Sequence, residues 1–439
     1  MRIFDVIAKR ILSFALLMLM IIGAGAVLTY VLNPISYATY FNHDIDIMEK
    51  NNEKADILFI GASRVYRTYV PEVFKKELVV NCVVNAGSSS QPIYATYYQL
   101  KDLMERVHPD RVVIGVTEDG LIYEPNQQGM LIVYDRLSVK NKLQFALDCF
   151  DLDTMKYALY PYRFRENLTK IPSILQEKNQ LIESDYEPDT AGNEYYADYG
   201  FVYSKSTYDT GTIPIRYEEK TYSENEIQEE QLGYLDACIE LCQKNNADVI
   251  LVTAPTSMMR IYGFVHYQEA TDFYIQYAKQ KGIVYYNLNY LKGREEFLPD
   301  ELMHDYNHVN GEGAYVISNI LADLMKKEEQ GIDVSQYFYS DLEALKKDVH
   351  RIVAVDAECA CEEDDVMHID IVSFQNEDIS PLYQVELSTD GGESYQVMVS
   401  WTEDTNIDVK IPVKENYELK IRAKAQNDDV QEAYQVYEF

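Results

Sequence analysis

The sequence predicts an α/β domain with a parallel sheet, preceded by one apolar helix and followed by an antiparallel β-sandwich. Short apolar runs alternate with helical patterns between residues 56 and 327, which is typical of parallel strands joined by helices. Closely spaced segments of alternating polarity follow residue 350. A chain of 439 residues is long enough to form both cores.

Residues 11–32 form an uncharged stretch of 22 residues, enough to cross a bilayer core of about 30 Å at about 1.5 Å per residue. Basic residues precede it and acidic residues follow it, so the positive-inside rule places the amino terminus in the cytoplasm and the rest outside. A cleaved signal peptide is the alternative, because Ala24-Gly25-Ala26 fits a cleavage site. The apolar run continues to Leu32, so we favour an uncleaved anchor over residues 1–33 in the cell membrane.

The α/β domain is expected over residues 34–328. Its strands are predicted at 56–60, 79–84, 111–116, 249–252 and 283–286, and its main helices at 94–107, 224–245, 271–281 and 314–327. A long insertion, 118–222, interrupts the alternation and is rich in tyrosine: Tyr186, Tyr195, Tyr196, Tyr199, Tyr203 and Tyr208. Such an insertion is typical of a lid or a surface segment. Its tyrosines either stack on sugar rings or pack against the sheet.

The carboxyl-terminal part changes pattern after a charged linker at 329–349. Alternating segments predict strands at 366–372, 383–389, 395–401, 407–411, 417–423 and 434–439, with Asp390-Gly391-Gly392 as a hairpin turn. We therefore expect an immunoglobulin- or fibronectin-like sandwich over residues 350–439. It binds glycan or acts as a spacer, and its sequence contains no catalytic cluster.

The charge balance excludes one class of main partner. The chain has 39 basic and 72 acidic residues, a net charge of −33. Nucleic acids require cationic surfaces, so we expect no nucleic-acid partner.

The first predicted strand runs directly into Gly61-Ala62-Ser63, at the strand end where open α/β sheets place their reactive groups. Ser63 is therefore our candidate nucleophile. A serine needs a base, and the base needs a group that orients it. His308, with Asp305 three residues before it, follows the last strand of the sheet and precedes a helix. An α/β-hydrolase elbow is excluded because position 65 is valine.

Three blocks resemble the SGNH (GDSL-type) hydrolase superfamily over residues 56–327: Gly61-Ala62-Ser63, Asn85-Ala86-Gly87-Ser88, and Asp305 with His308. The resemblance implies a three-layer, flavodoxin-like domain with Ser63 as nucleophile, His308 as base and Asp305 as its orienting partner. It further implies an oxyanion hole formed by the amides of Ser63 and Gly87. Arg64, beside the nucleophile, and Asn85 are our candidates for substrate binding, although such an arginine more often pairs with a carboxylate.

The sequence departs from the family pattern in two places. Ala62 stands where many members have aspartate. After the third strand, Gly115-Val116-Thr117-Glu118-Asp119 lacks the asparagine that normally completes the oxyanion hole. Loss of such a donor costs about 3 kcal/mol of transition-state stabilisation.

His304 and His308 are also spaced as two metal ligands on one helix turn. The segment contains no H-E-x-x-H motif, and glycines follow at once. We therefore expect no metal and no cofactor.

An anchored extracellular SGNH domain resembles proteins that assist O-acetylation of exopolysaccharides or D-alanylation of teichoic acids. The resemblance implies a serine esterase or acyltransferase acting on O-acyl groups of a cell-surface polysaccharide or another O-acylated glycan. It also implies a multi-spanning membrane O-acyltransferase as partner. The alternative is a non-catalytic glycan-binding or scaffold protein with a degenerate SGNH fold, which the missing asparagine favours.

Overall fold

The computed structural model describes residues 2–122, 126–208, 222–361, 366–411, 416–426 and 432–439. It begins with helix α1 (Arg2–Leu32), in which Arg10–Leu32 is long and apolar enough to cross a membrane. The sequence did not predict the next helix, α2 (Tyr37–Asn51), because most of its residues are polar; its buried face packs on the sheet domain.

In its described residues, the α/β domain contains five parallel strands and one separate hairpin. The strands are β1 (Ile57–Ile60), β2 (Val83–Asn85), β3 (Arg111–Gly115), β4 (Glu194–Asp198), β5 (Phe201–Ser204), β6 (Asp248–Thr253) and β7 (Val284–Asn287). The sheet order is β2-β1-β3-β6-β7 with parallel pairing throughout, which is the flavodoxin-like order. Strands β4 and β5 pair antiparallel with each other. The predicted fold class is confirmed.

Helices cover both faces of the parallel sheet. In chain order they are α3 (Ser63–Thr68), α4 (Pro71–Glu77), α5 (Ile93–Arg106), α6 (Gln127–Arg136), α7 (Val139–Cys149), α8 (Leu152–Ala158), α9 (Tyr160–Arg163), α10 (Ile171–Glu183), α11 (Glu229–Lys244), α12 (Met258–Gly263), α13 (Tyr267–Lys281), α14 (Arg294–Phe297), α15 (Gly311–Glu329) and α16 (Leu342–Lys347). Ile57 and Phe59 of β1 point into one apolar cluster with α3, α4 and α15, whereas Leu58 and Ile60 point into another with α5 and α11. The domain therefore has three layers.

The second strand is shorter than predicted. The sequence favours 79–84, but β2 begins at Val83 because Val79 has a φ of 56° and is 87% exposed. A β-branched residue at positive φ indicates a turn and not a strand.

The insertion contains helices α6 to α10 and the β4–β5 hairpin. The sequence predicted helical structure only near 140–150. Tyr196 and Tyr208 are buried, and the Tyr196 ring stacks on Tyr40 with centroids 5.3 Å apart. These contacts favour the packing interpretation for these two tyrosines. Residues 123–125 and 209–221 of the predicted insertion, 118–222, lie outside the described residues.

The carboxyl-terminal domain is a two-sheet antiparallel sandwich. Its strands are β8 (Ile352–Cys361), β9 (Val366–Gln375), β10 (Pro381–Ser388), β11 (Gln396–Thr402), β12 (Asn406–Lys410), β13 (Glu418–Ala425) and β14 (Ala433–Glu438). One sheet has the order β11-β10-β13-β14 and the other β12-β9-β8. The sandwich core lies between them.

The sequence did not predict strand β8, because the first residues of this strand are all buried and show no alternation of apolar and polar side chains. Ile352 and Val355 point into the sandwich core, while Val353 and Ala354 pack in the core of the α/β domain. A strand buried on both faces has no polar face for the pattern to reveal. The linker predicted at 329–349 contains the short helix α16.

Candidate active site

Ser63 is the first residue of α3, directly after the turn that ends β1. Gly61 in this turn has a φ of 148°, a backbone conformation that residues with a Cβ rarely adopt. The turn directs the chain from the buried strand into the helix, so the Ser63 side chain lies at the carboxyl edge of the sheet.

Three glycines at the ends of neighbouring strands allow α3 to pack closely on the sheet. A Cβ on Gly61 or Gly115 would lie 2.9 Å or 2.2 Å from Val65 Cγ2. A Cβ on Gly87 would lie 2.6 Å from the Tyr66 amide nitrogen. The absence of side chains at these three positions therefore fixes the distance between α3 and the sheet, and with it the position of Ser63.

The structure brings Ser63, His308 and Asp305 together in one hydrogen-bonded chain. Ser63 Oγ lies 2.7 Å from His308 Nε2. His308 Nδ1 lies 2.9 Å from both carboxylate oxygens of Asp305. A serine, an imidazole and a carboxylate in this order form the arrangement that activates a serine as nucleophile.

A tight loop before α15 positions the base and its partner. Asp305 Oδ1 accepts hydrogen bonds from the backbone amides of Asn307 (2.7 Å) and His308 (2.9 Å). Asn310 then begins α15 by accepting from the Gly313 amide at 3.0 Å. The carboxylate is thus fixed by its own loop and by the imidazole that it orients.

The electrostatics of this group favour a neutral imidazole beside an ionised carboxylate. Burial lowers the pKa of His308, with smaller contributions from the positive charges of Arg67 and Arg64, while Asp305 opposes the shift. Burial alone would raise the pKa of Asp305, but the hydrogen bond and charge of His308 lower it below the ordinary value. Neutral His308 can accept a proton from Ser63.

A second polar network lies beside the three residues, and the sequence did not predict it. Arg67 Nη2 donates to both oxygens of Glu194, at 2.9 and 3.0 Å. Glu194 Oε1 is also 3.4 Å from His304 Nε2, and His304 Nδ1 is 2.8 Å from Ser204 Oγ. Arg67 follows Ser63 by four residues on one helix face, which was an available signal. Glu194 and Ser204 come from the β4–β5 hairpin, and nothing in the local sequence places that hairpin here.

His304 and His308 make different hydrogen bonds, but both lie near Asp305, whose Oδ2 is 3.6 Å from His304 Nε2. Their ring centroids are 6.3 Å apart, and His308 uses both ring nitrogens on Ser63 and Asp305. Within the ranges that the structure describes, no group of three or more histidine, cysteine, aspartate or glutamate side chains is arranged to hold a metal ion.

The position of the missing asparagine is occupied by a buried ion-pair cluster. Arg64 Nη1 and Nη2 donate to the two oxygens of Glu118 at 2.6 and 2.8 Å. Arg260 donates to Glu118 at 2.9 Å and to Asp119 at 2.7 Å. Burial disfavours the charged form of Glu118, but the two arginines outweigh it and lower its pKa. Arg64, which was predicted to bind substrate, is buried and paired with Glu118, so a contact between Arg64 and substrate stays a prediction.

Asn85 has a structural role at the end of β2, and its predicted contact with substrate stays a prediction. Its buried Nδ2 donates to the carbonyls of Val65 (2.9 Å) and Tyr69 (2.8 Å), which join the end of β2 to α3. Its Oδ1 accepts from the Gly87 amide at 3.1 Å. The Gly87 amide would therefore have to share its hydrogen with Asn85 in order to bind an oxyanion.

Comparisons with known proteins give matches among solved structures. A GDSL-like lipase from Bacteroides thetaiotaomicron is 14% identical over 67% of this chain and 100% of its own, with a TM-score of 0.31. A psychrotrophic esterase from Pseudoalteromonas is 13% identical over 63% of this chain and 99% of its own, with a TM-score of 0.28. A two-domain esterase active on acetylated mannans is 11% identical over 93% of this chain and 97% of its own, also with a TM-score of 0.28.

No protein-family model and no curated protein matches the sequence. The low identities and TM-scores of the matched structures carry no conclusion about activity, which must come from the geometry around Ser63. The matched proteins are described as esterases and a lipase. One of the matched structures is described as a GDSL-like lipase, a member of the family that the sequence motifs resemble.

Proposed function

We propose that this chain is a serine-dependent esterase or O-acyltransferase that forms an acyl-enzyme on Ser63. One observation carries the proposal: Ser63 Oγ, His308 and Asp305 form a continuous hydrogen-bonded chain at the carboxyl edge of a parallel sheet. Nucleophilic catalysis needs each of these three groups within hydrogen-bond reach of the next.

In the first step, Ser63 Oγ attacks the carbonyl carbon of an ester while His308 Nε2 accepts the hydroxyl proton. Asp305 holds Nδ1–H and stabilises the imidazolium that forms. The negative charge on the carbonyl oxygen faces the amides of Ser63 and Gly87. The tetrahedral intermediate then expels the alcohol, which takes the proton from His308, and an acyl-serine remains.

In the second step, an incoming hydroxyl attacks the acyl-serine, and His308 removes its proton. Water as acceptor gives hydrolysis, and a sugar hydroxyl gives transfer. The proton returns through His308 to Ser63 as the ester bond to the enzyme breaks, so both routes regenerate the free serine.

The proposed substrate is an acetylated or otherwise O-acylated cell-surface polysaccharide. The support is the combination of α1, which is apolar enough to span a membrane, with a domain resembling SGNH hydrolases. The domain then lies outside the cell, where such polymers are found. A single span offers no path for an acyl donor, so for transfer we propose a multi-spanning membrane O-acyltransferase as partner.

A second candidate is a non-catalytic, glycan-binding scaffold. Two observations favour it: Glu118 is committed to Arg64 where the family has an oxyanion donor, and the Gly87 amide already donates to Asn85. A poorly formed oxyanion hole would leave the nucleophile with little catalytic power.

Hydrolysis of p-nitrophenyl acetate by the purified protein separates the two candidates. We expect measurable turnover that is abolished by Ser63→Ala and retained by Ser340→Ala, a control at an exposed serine outside the α/β core. Turnover that survives Ser63→Ala would contradict the proposed nucleophile. No turnover with any acyl ester offered would favour the scaffold.

A further inference from the structure

Helices α7 to α10 expose an unusual number of large apolar side chains. Among the residues that the structure describes, every leucine left exposed beyond α1 lies in this part of the chain, and valine, tyrosine and isoleucine side chains add to it. We call them the leucine surface: Val139, Leu143, Leu147, Leu152, Leu159, Tyr162, Leu168 and Ile182. A concentration of exposed apolar side chains of this kind is typical of an interaction site.

The leucine surface lies beside the point where α1 leaves its apolar span. Helices α9 and α10 and the 3₁₀ turn Arg165–Lys170 all contact α1. Asn167 Nδ2 donates to the Leu32 carbonyl at 3.1 Å, and Lys178 donates to the Tyr30 carbonyl. Leu168, 57% exposed, is therefore adjacent in sequence to a residue bonded to the last turn of α1.

The remaining helices extend the same surface. Helix α8 contacts α9, and Lys142 of α7 donates to Tyr160 Oη of α9 at 3.1 Å. Val139, Leu143 and Leu147 follow one another at four-residue spacing on α7, while Phe145 and Ala146 on its opposite side are buried. Helix α7 is thus apolar on both faces, and only one of them is covered by protein.

The charge of this segment differs from that of the whole chain. Residues 139–183 contain seven basic and six acidic residues, against 39 and 72 in the full sequence. Arg165 and Lys178 lie over the rings of Tyr162 and Tyr30, at 4.6 and 4.5 Å from the ring centroids. Aromatic rings, basic side chains and leucines together are typical of protein segments at the boundary between lipid headgroups and acyl chains.

We propose that the leucine surface inserts into the headgroup and acyl boundary of the same bilayer that α1 crosses. The acidic remainder of the chain is repelled by anionic lipid, whereas this nearly neutral segment is not. The insertion then holds the α/β domain against the membrane at a second site, so that its orientation does not depend on α1 alone. The inference rests on the proposed anchoring by α1 and is independent of the proposed chemistry at Ser63.

Depth-dependent fluorescence quenching of the full-length protein in phosphatidylcholine and phosphatidylglycerol vesicles tests the inference. Trp401 is the single tryptophan, so Trp401→Phe gives a background protein without tryptophan fluorescence. Leu159→Trp and Leu168→Trp report on the leucine surface, and Leu19→Trp reports on the span. Val372→Trp, at an exposed position of β9, is the matched control.

We expect lipids with a doxyl group near the headgroup to quench Leu159→Trp and Leu168→Trp strongly and Val372→Trp hardly at all, and lipids with a doxyl group deep in the acyl chain to quench Leu19→Trp. Quenching of Leu19→Trp with none at the two surface probes would overturn the inference while leaving the anchor intact, and a membrane-protein partner would then be the occupant. Absence of quenching at Leu19→Trp would overturn the anchoring as well. As a second test, the double substitution of Leu159→Asp and Leu168→Asp should reduce the quenching of a tryptophan introduced by Ile182→Trp. Unchanged quenching of this tryptophan would contradict the proposal.

Discussion

At the residue scale, Ser63 and His308 are 245 positions apart in the chain, yet their reactive atoms are 2.7 Å apart. The sequence alone identified both residues and Asp305, because strand-end motifs place side chains at one edge of a parallel sheet. It could not identify the partners of Arg64 and Asn85. Their hydrogen bonds go to Glu118 and to the backbone of α3, and neighbouring residues in the sequence do not indicate these contacts.

The pH dependence of turnover should report the neutral form of His308. Its pKa in the folded protein lies below the ordinary value of 6.5, so the base stays unprotonated into mildly acidic solution. We expect kcat/KM for p-nitrophenyl acetate to be constant at neutral pH and to fall only below pH 6.5. His304→Gln, which removes the other histidine near Asp305, should retain this acid limb. A fall in kcat/KM with its midpoint above pH 6.5 would contradict the assignment of His308 as the base.

Asp305→Asn should reduce kcat by about four orders of magnitude, as loss of the orienting carboxylate does in serine hydrolases of this type. Without the carboxylate, Nδ1 loses its acceptor, and the imidazole is free to adopt the wrong tautomer. Steady-state kinetics check the change, with Asp300→Asn as a control for a nearby carboxylate that contacts Arg351 instead. Equal losses in the two variants would show that Asp305 has no special role.

At the element scale, the glycines under α3 determine where the nucleophile lies. The sequence predicted Gly87 as an oxyanion donor, but its closest neighbours show a packing role as well. Strand β8 shows the opposite limitation, because burial on both faces erases the alternation that marks a strand. The positions of short helices and of strands shared by two cores depend on tertiary packing, and the local pattern lacks that information.

Gly87→Ala should destabilise the fold and reduce turnover together. The new methyl group would lie 2.6 Å from the Tyr66 amide nitrogen and 2.8 Å from Val65 Cβ, so α3 must shift and carry Ser63 with it. Overpacking of this kind costs about 1–3 kcal/mol.

Gly233→Ala in α11 is the matched control, because a Cβ there has no neighbour within 4 Å. It should leave activity unchanged and stabilise the helix by about 0.5–1 kcal/mol. Chemical denaturation and turnover measure both effects, and equal behaviour of the two variants would contradict the packing account.

At the scale of the whole molecule, the sandwich packs directly on the α/β domain. Val353, Ala354 and Phe374 join the α/β core, and Arg351 donates to Glu295 at 2.6 Å and contacts Asp300 at 2.9 Å. The sequence predicted two domains but not this contact, since the surfaces involved are far apart in the chain. Likewise, it located the insertion but not its hairpin beside the active site.

Arg351→Ala should weaken the coupling between the two domains. Its side chain is mostly buried, so removal leaves Glu295 and Asp300 without their shared cation, at a cost of about 1.5–3 kcal/mol. Calorimetry should show a lower or split unfolding transition. Lys54→Ala, which breaks an exposed pair with Asp110, is the control and should change stability by less than about 1 kcal/mol. A single, unshifted transition in Arg351→Ala would argue that the interface does not stabilise the protein.

Peptide mass spectrometry after treatment with a fluorophosphonate tests the central proposal most directly. An activated serine attacks phosphorus and retains the phosphonyl group, whereas an unactivated hydroxyl does not react at comparable rates. We predict one modified peptide containing Ser63, with labelling lost in Ser63→Ala and strongly slowed in His308→Ala. An unlabelled Ser63 peptide, or labelling at another serine that survives Ser63→Ala, would contradict the account.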